Sequence, residues 1–215
     1  MSVKRGFDLV VSSTLLFAAA PIMLAVALMV RLFLGPPVIF RQLRPGLEAR
    51  PFALYKFRTM HETKLPDGKQ IEDHERLTRL GRALRATSLD ELPELWNVLR
   101  GDMSLVGPRP LLLRYLPLYD REQFRRHEAR PGITGLAQVE GRNALPWERR
   151  FELDAWYVDN QSLLLDLRIL LLTVLRVVTA NGVAQPGRAT VDYFTGQKLN
   201  KTREPQSHDK PYPRL

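Results

Sequence analysis

The sequence predicts a mostly helical α+β protein, in which a membrane-associated N-terminal helix precedes a small globular domain with short strands and amphipathic helices. Three observations support this fold class. An uncharged apolar run extends from Leu9 to Val30, two short apolar stretches flank a turn at Pro45, and helical patterns recur up to Val178. We expect three segments: a membrane anchor (1–34), a globular domain (35–198) and a polar tail (199–215).

The composition limits the class of partner. The chain has 215 residues, of which 45% are hydrophobic, so it can bury a core. Its 32 Lys and Arg residues against 23 Asp and Glu residues give a net charge of +9, which favours nucleic acid, anionic lipid or a phosphorylated small molecule. The absence of cysteine excludes disulfides and thiolate metal sites, and four scattered histidines argue against a zinc cluster. Any metal should therefore be a hard cation such as magnesium, held by carboxylates.

The N-terminal apolar run is long enough to cross a bilayer. As a helix, Leu9 to Val30 would extend about 33 Å, against roughly 30 Å for the hydrocarbon core. A signal peptide would share its basic start, Lys4 and Arg5, and its small residues at 18–20. Because the apolar run continues past these alanines, we expect the segment to be retained.

The residues alone leave two arrangements of this anchor open. One is a single transmembrane helix. The other is a re-entrant hairpin that enters and leaves through the same membrane face, with Pro21 removing a helical hydrogen bond near its middle. Basic residues flank both ends, and the positive-inside rule would place both flanks in the cytoplasm, which a straight span cannot satisfy. Proline also occurs within ordinary spans, so it does not decide between them.

The globular domain is predicted to start with two strands and to continue mainly as helices. The strands are Val38–Phe40 and Phe52–Phe57, and residues 61–75 should form a polar loop. The predicted helices are Arg76–Ala86, Pro93–Leu99, Pro110–His127 with an interruption near Pro117, Trp147–Val158 and Ser162–Val178. Pro131–Gly141 is predicted to be an irregular loop. The last helix carries three charged residues, so it is either a buried core helix or a helix in the membrane interface. The tail is predicted to be disordered.

The adjacent carboxylates Asp90 and Glu91 are the first candidates for chemistry. Neighbours on a helix diverge by about 100°, so a pair that acts together is expected at a helix end. A structural interpretation is a capping box with Ser88 as N-cap. Pro93 argues against that register and favours Asp90 as the N-cap, near free N–H groups that also attract phosphate. Capping alone remains the commoner role for such a residue.

Basic residues close to this pair in sequence suggest phosphate contacts. They are Lys56, Arg58, Arg82 and Arg85, together with Arg109 and Arg142, which lie in turns rich in Gly and Pro. Arginine can bind phosphate oxygens in a bidentate manner, and glycine-rich backbone can direct several N–H groups at one anion. With a carboxylate and a divalent cation, these residues predict a membrane-attached phosphoryl transferase or hydrolase.

Several longer motifs resemble the bacterial sugar transferase family, the monotopic polyprenyl-phosphate phosphoglycosyl transferases of the small, minimal type. The resemblance runs from about Lys4 to Val178. Its motifs are Lys4–Asp8, Tyr55–Met60, Thr87–Asn97, Gly101–Pro110, Pro131–Gln138, Tyr157–Asn160 and Leu165–Ile169. Their order along the chain makes the resemblance specific, and any one of them alone would be weak.

This resemblance implies the mechanism and the topology. Asp90 would attack the β-phosphate of a UDP-sugar, and polyprenyl (undecaprenyl) phosphate would then attack the phosphosugar-enzyme intermediate. Asp90 and Glu91 would hold Mg²⁺, or Glu91 would orient the acceptor. The re-entrant hairpin is implied too, with its break at Pro21, on the cytoplasmic face of the bacterial inner membrane. Family members often have Ser-Pro at that break, whereas this chain has Ala20-Pro21, which lacks the hydroxyl.

Candidate substrate- and phosphate-binding residues follow from the same motifs: Lys56, Arg58, Arg85, Pro108, Arg109, Gly132, Thr134, Gly135, Gln138 and Arg142. The stretch Gly141–Glu148 looks like members that act on acetamido sugars. The expected partners are a UDP-sugar, polyprenyl phosphate and membrane lipids, with no nucleic acid, and a homodimer is one assembly that we consider. Two alternatives are a membrane-tethered polyanion-binding protein, which would need base-stacking aromatic residues, and a magnesium-dependent membrane phosphatase.

Overall fold

In the computed structural model, which describes residues 2–61, 73–141, 144–178 and 193–196, the apolar N-terminal run forms one helix, α1 (Val3–Phe33). By length and composition it could cross a membrane. Pro21 lies inside α1 and the helix continues on both sides of it. The interruption predicted at Pro21 is therefore not seen, since a proline can bend a helix without ending it, and the hairpin is not confirmed.

One side of α1 packs on the globular domain along its whole length. The buried positions Asp8, Ser12, Val26 and Val30 are separated by multiples of three to four residues, which places them on a single helical stripe. The opposite side remains exposed and apolar, as Phe17 shows with 86% of its surface accessible. The helix therefore lies along the domain with an unpartnered apolar side.

The two predicted strands pair as an antiparallel hairpin of β1 (Ile39–Pro45) and β2 (Pro51–Phe57). Ile39 lies opposite Phe57 and Pro45 opposite Pro51, so β1 is longer than predicted. A 3-10 turn, Leu47–Ala49, connects the strands. Both strand predictions are confirmed.

The basic helix predicted at Arg76–Ala86 is divided into α2 (Asp73–Arg76) and α3 (Arg79–Ala86). Leu77 makes an isolated bridge with Met60, and the Thr78 hydroxyl caps α3 by accepting a hydrogen bond from the Gly81 N–H. The next helix, α4 (Glu94–Arg100), lies within one residue of its prediction and ends at Gly101, whose φ is +91°.

The helix predicted over Pro110–His127 is interrupted near Pro117, as predicted, but its parts are much shorter than expected. The segment forms a 3-10 helix (Leu113–Leu118), the short helix α5 (Arg121–Phe124) and a second 3-10 turn (Arg125–Glu128). Asp120 and Gln123 form a capping box that starts α5 and separates it from the preceding turn.

The irregular loop predicted over Pro131–Gly141 is wrong, because it contains β4 (Gly132–Thr134) and α6 (Leu136–Glu140). The strand β4 pairs in parallel with β3 (Ser104–Val106), which the sequence did not reveal. Glycine allows this close approach, since a Cβ on Gly132 would lie 2.1 Å from the backbone N of Gly107.

Two helices complete the domain. They are α7 (Trp147–Asn160) and α8 (Leu163–Val178), and both confirm their predictions. One side of α8 is buried in the core through residues such as Ile169, whereas Leu164 on the other side is 79% exposed. The predicted tail, most of the predicted loop at 61–75 and the boundary at 198 lie outside the described residues.

Candidate active site

Two carboxylates and two cations form a buried cluster where β2, α4 and the segment after β3 meet. Glu91 Oε1 accepts hydrogen bonds from Lys56 Nζ and Arg109 Nη2, each at 2.6 Å. Lys56 Nζ also lies 2.9 Å from Glu94 Oε1. We call Lys56, Glu91, Glu94 and Arg109 the active-site cluster.

Short, tightly connected elements hold this cluster in place. Lys56 lies near the end of β2, and Arg109 follows β3 directly after Gly107 and Pro108. Asn97, fully buried in α4, joins that helix to β2, because its amide accepts from the Tyr55 N–H at 3.1 Å and donates to the Ala53 carbonyl at 2.7 Å. The spacing between Lys56 and the carboxylates is therefore fixed by backbone contacts.

Asp90 lies next to the cluster, in the 3-10 turn Leu89–Glu91 that precedes α4. It is 6% exposed. Within the described residues, its carboxylate has no hydrogen bond or ion pair. Ser88 is left-handed, with φ of 57°, and makes no capping bond, and α4 begins only after Pro93. Both capping interpretations, with Ser88 or with Asp90 as the helix N-cap, are therefore wrong.

The carboxylates have different pKa values because their surroundings differ. Burial and the neighbouring charge of Glu91 raise the pKa of Asp90 above its ordinary value. Burial likewise raises the pKa of Glu94, to about 7, with Lys56 opposing the shift. For Glu91, burial is outweighed by the adjacent Arg109 and Lys56, so its pKa is lowered. The surroundings therefore favour the ionised form of Glu91, whereas burial makes ionisation of Asp90 and Glu94 less favourable than in water.

A small cavity opens beside the cluster. It has a volume of about 70 Å³ and is lined by Lys56, Glu94, Arg109, Pro110 and Leu111, together with Leu54 and Arg44. The Nε of Arg44 is buried without a hydrogen-bond partner among the described residues. Sequence reasoning missed both Glu94 and Arg44 as site residues. Glu94 lies in the Thr87–Asn97 motif and could have been found there, whereas only the hairpin register brings Arg44 to the cavity.

Two of the predicted phosphate-binding residues, Arg58 and Arg85, make hydrogen bonds outside the active-site cluster. Arg58 is buried against the end of α1, where it donates to the carbonyls of Pro36 at 2.9 Å, Gly35 at 2.6 Å and Leu34. Its position favours a structural role. Arg85 donates from Nε to the Thr59 hydroxyl at 3.1 Å, and its charge lowers the pKa of Asp90 against the effect of burial. Arg142 lies outside the described residues.

The predicted residues from Pro108 to Gln138 build the support behind Arg109. The Gly132 N–H donates to the Pro108 carbonyl at 3.1 Å. Thr134 lies 2.7 Å from the Thr173 hydroxyl of α8. Gln138 donates from Nε2 to the Ile133 carbonyl at 3.2 Å. A Cβ on Gly135 would lie 2.7 Å from Gln138 Oε1, so glycine leaves room for this side chain. These residues join β4 to the segment that carries Arg109, and the contacts place none of them on a carboxylate of the cluster.

The donor set matches one mode of magnesium binding. Magnesium usually binds through one or two carboxylates and substrate phosphate oxygens. Among the described residues, no group of three or more His, Asp or Glu side chains converges as an all-protein metal cage. Asp90 and Glu91 are adjacent, and Asp90 has no protein partner there. A magnesium ion held by this pair together with a bound diphosphate therefore stays a prediction.

The fold and the site together define a class of protein: an enzyme for an anionic substrate, with buried carboxylates and cations beside a long apolar helix. The family model described as bacterial sugar transferase matches residues 1–180, and the chain belongs to this family.

Relatives with assigned names agree with this membership. The chain is 55% identical over 196 residues to EpsL of Bacillus subtilis (strain 168), named an uncharacterized sugar transferase, which covers 91% of this chain and 97% of EpsL. It is 44% identical over 188 residues to a Caulobacter vibrioides UDP-glucose:undecaprenyl-phosphate glucose-1-phosphate transferase, covering 83% of this chain and 70% of that protein. An Aeromonas hydrophila UDP-N-acetylgalactosamine-undecaprenyl-phosphate N-acetylgalactosaminephosphotransferase is 38% identical over 188 residues, covering 84% and 44%.

Proposed function

We propose that the protein transfers a sugar 1-phosphate from a UDP-sugar to polyprenyl phosphate, through a covalent phosphosugar–Asp90 intermediate and with release of UMP. The reaction would be the first membrane step of a glycan assembly. The observation that carries the proposal is the buried, unpaired Asp90 carboxylate beside a carboxylate that two cations hold. The names of the relatives support the donor and acceptor classes.

The environment of Asp90 favours a nucleophile over a structural residue. A carboxylate with a structural role normally has its hydrogen bonds satisfied when buried. Asp90 has no protein partner among the described residues, and its oxygens are not fully enclosed, so they are accessible to a phosphorus atom. Glu91, in contrast, is held by Lys56 and Arg109 on one oxygen, which suits a residue that orients cations.

In the first step, an oxygen of Asp90 attacks the β-phosphorus of the UDP-sugar. The bond between this phosphorus and the oxygen bridging to the α-phosphate breaks, and UMP leaves with that oxygen. In the second step, a phosphate oxygen of the carrier attacks the same phosphorus. The Asp90–phosphorus bond then breaks, which restores the carboxylate and gives a polyprenyl diphosphate-linked sugar.

The cations of the site would stabilise the charge that develops on the transferred phosphate. Arg109 is 43% exposed in its side chain, so it can contact substrate while keeping its bond to Glu91. Lys56 is more deeply buried and fixes both Glu91 and Glu94. Mg²⁺, held by Asp90 and Glu91 together with the diphosphate, would supply further neutralisation of the phosphate charge.

A re-entrant anchor on the cytoplasmic face accompanies this proposal. Asp8 near the start of α1 and Val30 near its end are both buried on the same globular domain. A straight span would separate the helix ends by about 30 Å of hydrocarbon and place them on opposite sides. Many large apolar side chains are exposed on α1 and α8, among them Phe17 and Leu171. Their number supports contact of these two helices with lipid.

The donor is proposed to carry an acetamido group, because Gly141–Glu148 resembles members that use such sugars. The named relatives include one for glucose and one for N-acetylgalactosamine, so either donor class is compatible with the family. A panel of UDP-sugars distinguishes them: a preference for UDP-glucose over UDP-N-acetyl sugars would contradict the acetamido proposal and leave the transferase proposal intact.

The test is UMP release by the full chain in nanodiscs with magnesium and the donor panel, with and without undecaprenyl phosphate. We expect carrier-dependent turnover that Asp90→Asn abolishes. Asp120→Asn is the matched control, because asparagine caps helix α5 as well as aspartate does. Continuous UMP release without carrier would indicate a phosphatase. No UMP from any donor, with a folded sample, would contradict the transferase and leave a polyanion-binding protein as the alternative.

A further inference from the structure

The N-terminal turn of α1 is hydrogen-bonded to β3 inside the protein. Asp8 Oδ2 accepts from the Ser104 hydroxyl at 2.9 Å, and Asp8 Oδ1 accepts from the Leu105 N–H at 3.1 Å. Asp8 is 2% exposed and Ser104 is 1% exposed. Because water cannot replace these bonds, the membrane helix holds the start of β3 firmly.

A second group of contacts holds the end of the same strand. Lys4 Nζ lies 3.2 Å from the Val106 carbonyl oxygen and forms an ion pair with Asp166 of α8. The Tyr157 hydroxyl of α7 lies 3.0 Å from the Val106 carbonyl oxygen and 2.7 Å from Asp166 Oδ1. We call Lys4, Asp8, Tyr157 and Asp166 the anchor network.

The chain has little freedom between this network and the active-site cluster. Only Gly107 and Pro108 separate Val106 from Arg109. The Gly107 N–H donates to the Thr134 carbonyl at 2.9 Å, and the Pro108 carbonyl accepts from the Gly132 N–H at 3.1 Å. A displacement of β3 would therefore move Arg109, whose guanidinium holds Glu91 at 2.6 Å.

We propose that Lys4 and Asp8 are positioning residues for Arg109, so that the seating of the membrane helix on β3 sets the geometry of the active site. The contacts of these two side chains are with β3, α7 and α8, and they act on the reaction through the backbone of Val106–Arg109. The kinetic part of this inference rests on the proposed function, whereas its structural part does not.

Arg5 provides the matched control, because it anchors the same helical turn without touching β3. Its guanidinium donates to the Val98 carbonyl at 2.6 Å and to the Leu99 carbonyl at 2.9 Å, at the end of α4. If the anchor network only attached α1 to the domain, Asp8→Ala and Arg5→Ala should have similar effects. If it positions Arg109, the two variants should differ.

The kinetic experiment measures kcat/KM for UMP release by the full chain in nanodiscs. Since misplacement by about 1 Å can cost about 100-fold, we expect Asp8→Ala to lower kcat/KM by about 30-fold and Arg5→Ala by less than about 3-fold. Asp8→Asn should restore most of the activity, because its amide can accept from the Leu105 N–H and donate to the Ser104 hydroxyl.

A double-variant test shows whether the effect passes through Arg109. In an Arg109→Ala background, Asp8→Ala should cost less than about 3-fold, because the group that it positions is gone. A full, additive loss in that background would overturn the inference. Should Asp8→Ala fail to fold, Tyr157→Phe keeps the ring and removes only the hydroxyl near the Val106 carbonyl, and the same cycle applies to it.

Hydrogen exchange supplies a readout that does not depend on activity. Amides in the peptide covering residues 103–109 should exchange at least about 10-fold faster in Asp8→Ala than in the wild type or Arg5→Ala. Equal exchange in all three proteins would overturn the positioning role. If the wild type releases no UMP, the proposed function fails, and hydrogen exchange still decides whether α1 holds this segment.

Discussion

The active-site cluster and the anchor network both combine carboxylates with hydrogen-bond donors, yet their hydrogen bonding differs. In the anchor network, Asp8 has two donors and Asp166 is matched by Lys4 and Tyr157. In the active-site cluster, Glu91 and Glu94 share Lys56. Beside them, Asp90 has no partner among the described residues.

This difference separates a structural group of charges from a functional one. Where carboxylates and donors are matched, burial fixes the backbone and the charges have no capacity left for a ligand. Where a carboxylate lies beside other charges without a donor of its own, as Asp90 does among the described residues, the site keeps an unfavourable charge that a substrate, a metal ion or a proton can relieve. Burial, and to a smaller extent the charge of Glu91, raises the pKa values of Asp90 and Glu94.

Replacing the unpaired carboxylate should have the largest effect on activity. We expect Asp90→Asn to lower UMP turnover by at least about 1,000-fold, since loss of a nucleophile removes the covalent route. Its melting temperature should equal or exceed that of the wild type, because the substitution removes a buried charge without a partner. A large fall in both turnover and melting temperature would instead show that Asp90 is a structural residue. The active site would then not differ from the anchor network in this respect.

Removing a cation of the active-site cluster should cost less. Arg109→Ala is expected to lower kcat/KM for UMP release by about 100-fold, through lost stabilisation of the transferred phosphate. Arg121→Ala, an exposed arginine on α5, is the matched control and should change kcat/KM by less than about 2-fold. Equal values of kcat/KM for the two variants would show that Arg109 takes no part in the reaction.

Removing the ion pair of the anchor network should also lower stability. Asp166→Ala leaves Lys4 without its buried partner, so we expect the free energy of unfolding to fall by about 3–5 kcal/mol in denaturant titrations. Glu152→Ala breaks an exposed pair with Arg149 on α7, and should change it by less than about 1 kcal/mol. Similar losses of unfolding free energy in the two variants would contradict a stabilising role for the ion pair of Lys4 with Asp166.

The smallest effect is a pH dependence from Glu94. Its pKa in the folded protein is about 7, above the ordinary value of 4.5. Between pH 4.5 and 7 the folded state therefore holds a proton that the unfolded state has lost, so stability falls as pH rises. The slope is at most about 1.4 kcal/mol per pH unit. Asp154, with a pKa of about 6, and His127, with a pKa of about 4, also contribute to the pH dependence, so the measurement is the difference in unfolding free energy between the wild type and Glu94→Gln. The wild type should lose stability relative to the variant between pH 4.5 and 7, and a constant difference would show that Glu94 is not the source.

Much of the active site could be predicted from local sequence, because its residues lie in short motifs. Lys56, Asp90, Glu91 and Arg109 were all predicted, and the structure places Lys56 and Arg109 on Glu91. Arg58 was predicted beside them, but it lies beyond the end of β2, where its guanidinium donates to the carbonyls of Pro36 and Gly35 just after α1.

Contacts between distant segments could not be predicted. The strands β3 and β4 have three residues each, too few for a periodic pattern, and their pairing depends on close approach of Gly107 and Gly132. Asp8 lies in a predicted motif, yet nothing in the sequence near it indicates Ser104 as its partner. The course of α1 through Pro21 also depends on packing along the domain, which local propensity does not contain.

The most direct test of the central claim is the intact mass of the protein after mixing with magnesium and a UDP-sugar, without carrier. We predict that the wild type and Asp120→Asn gain the mass of one sugar phosphate and release one equivalent of UMP, and that undecaprenyl phosphate removes the added mass. Asp90→Asn should gain nothing. A wild type that turns over with carrier but never gains this mass, or an Asp90→Asn protein that gains it, would contradict the assignment of Asp90 as the nucleophile.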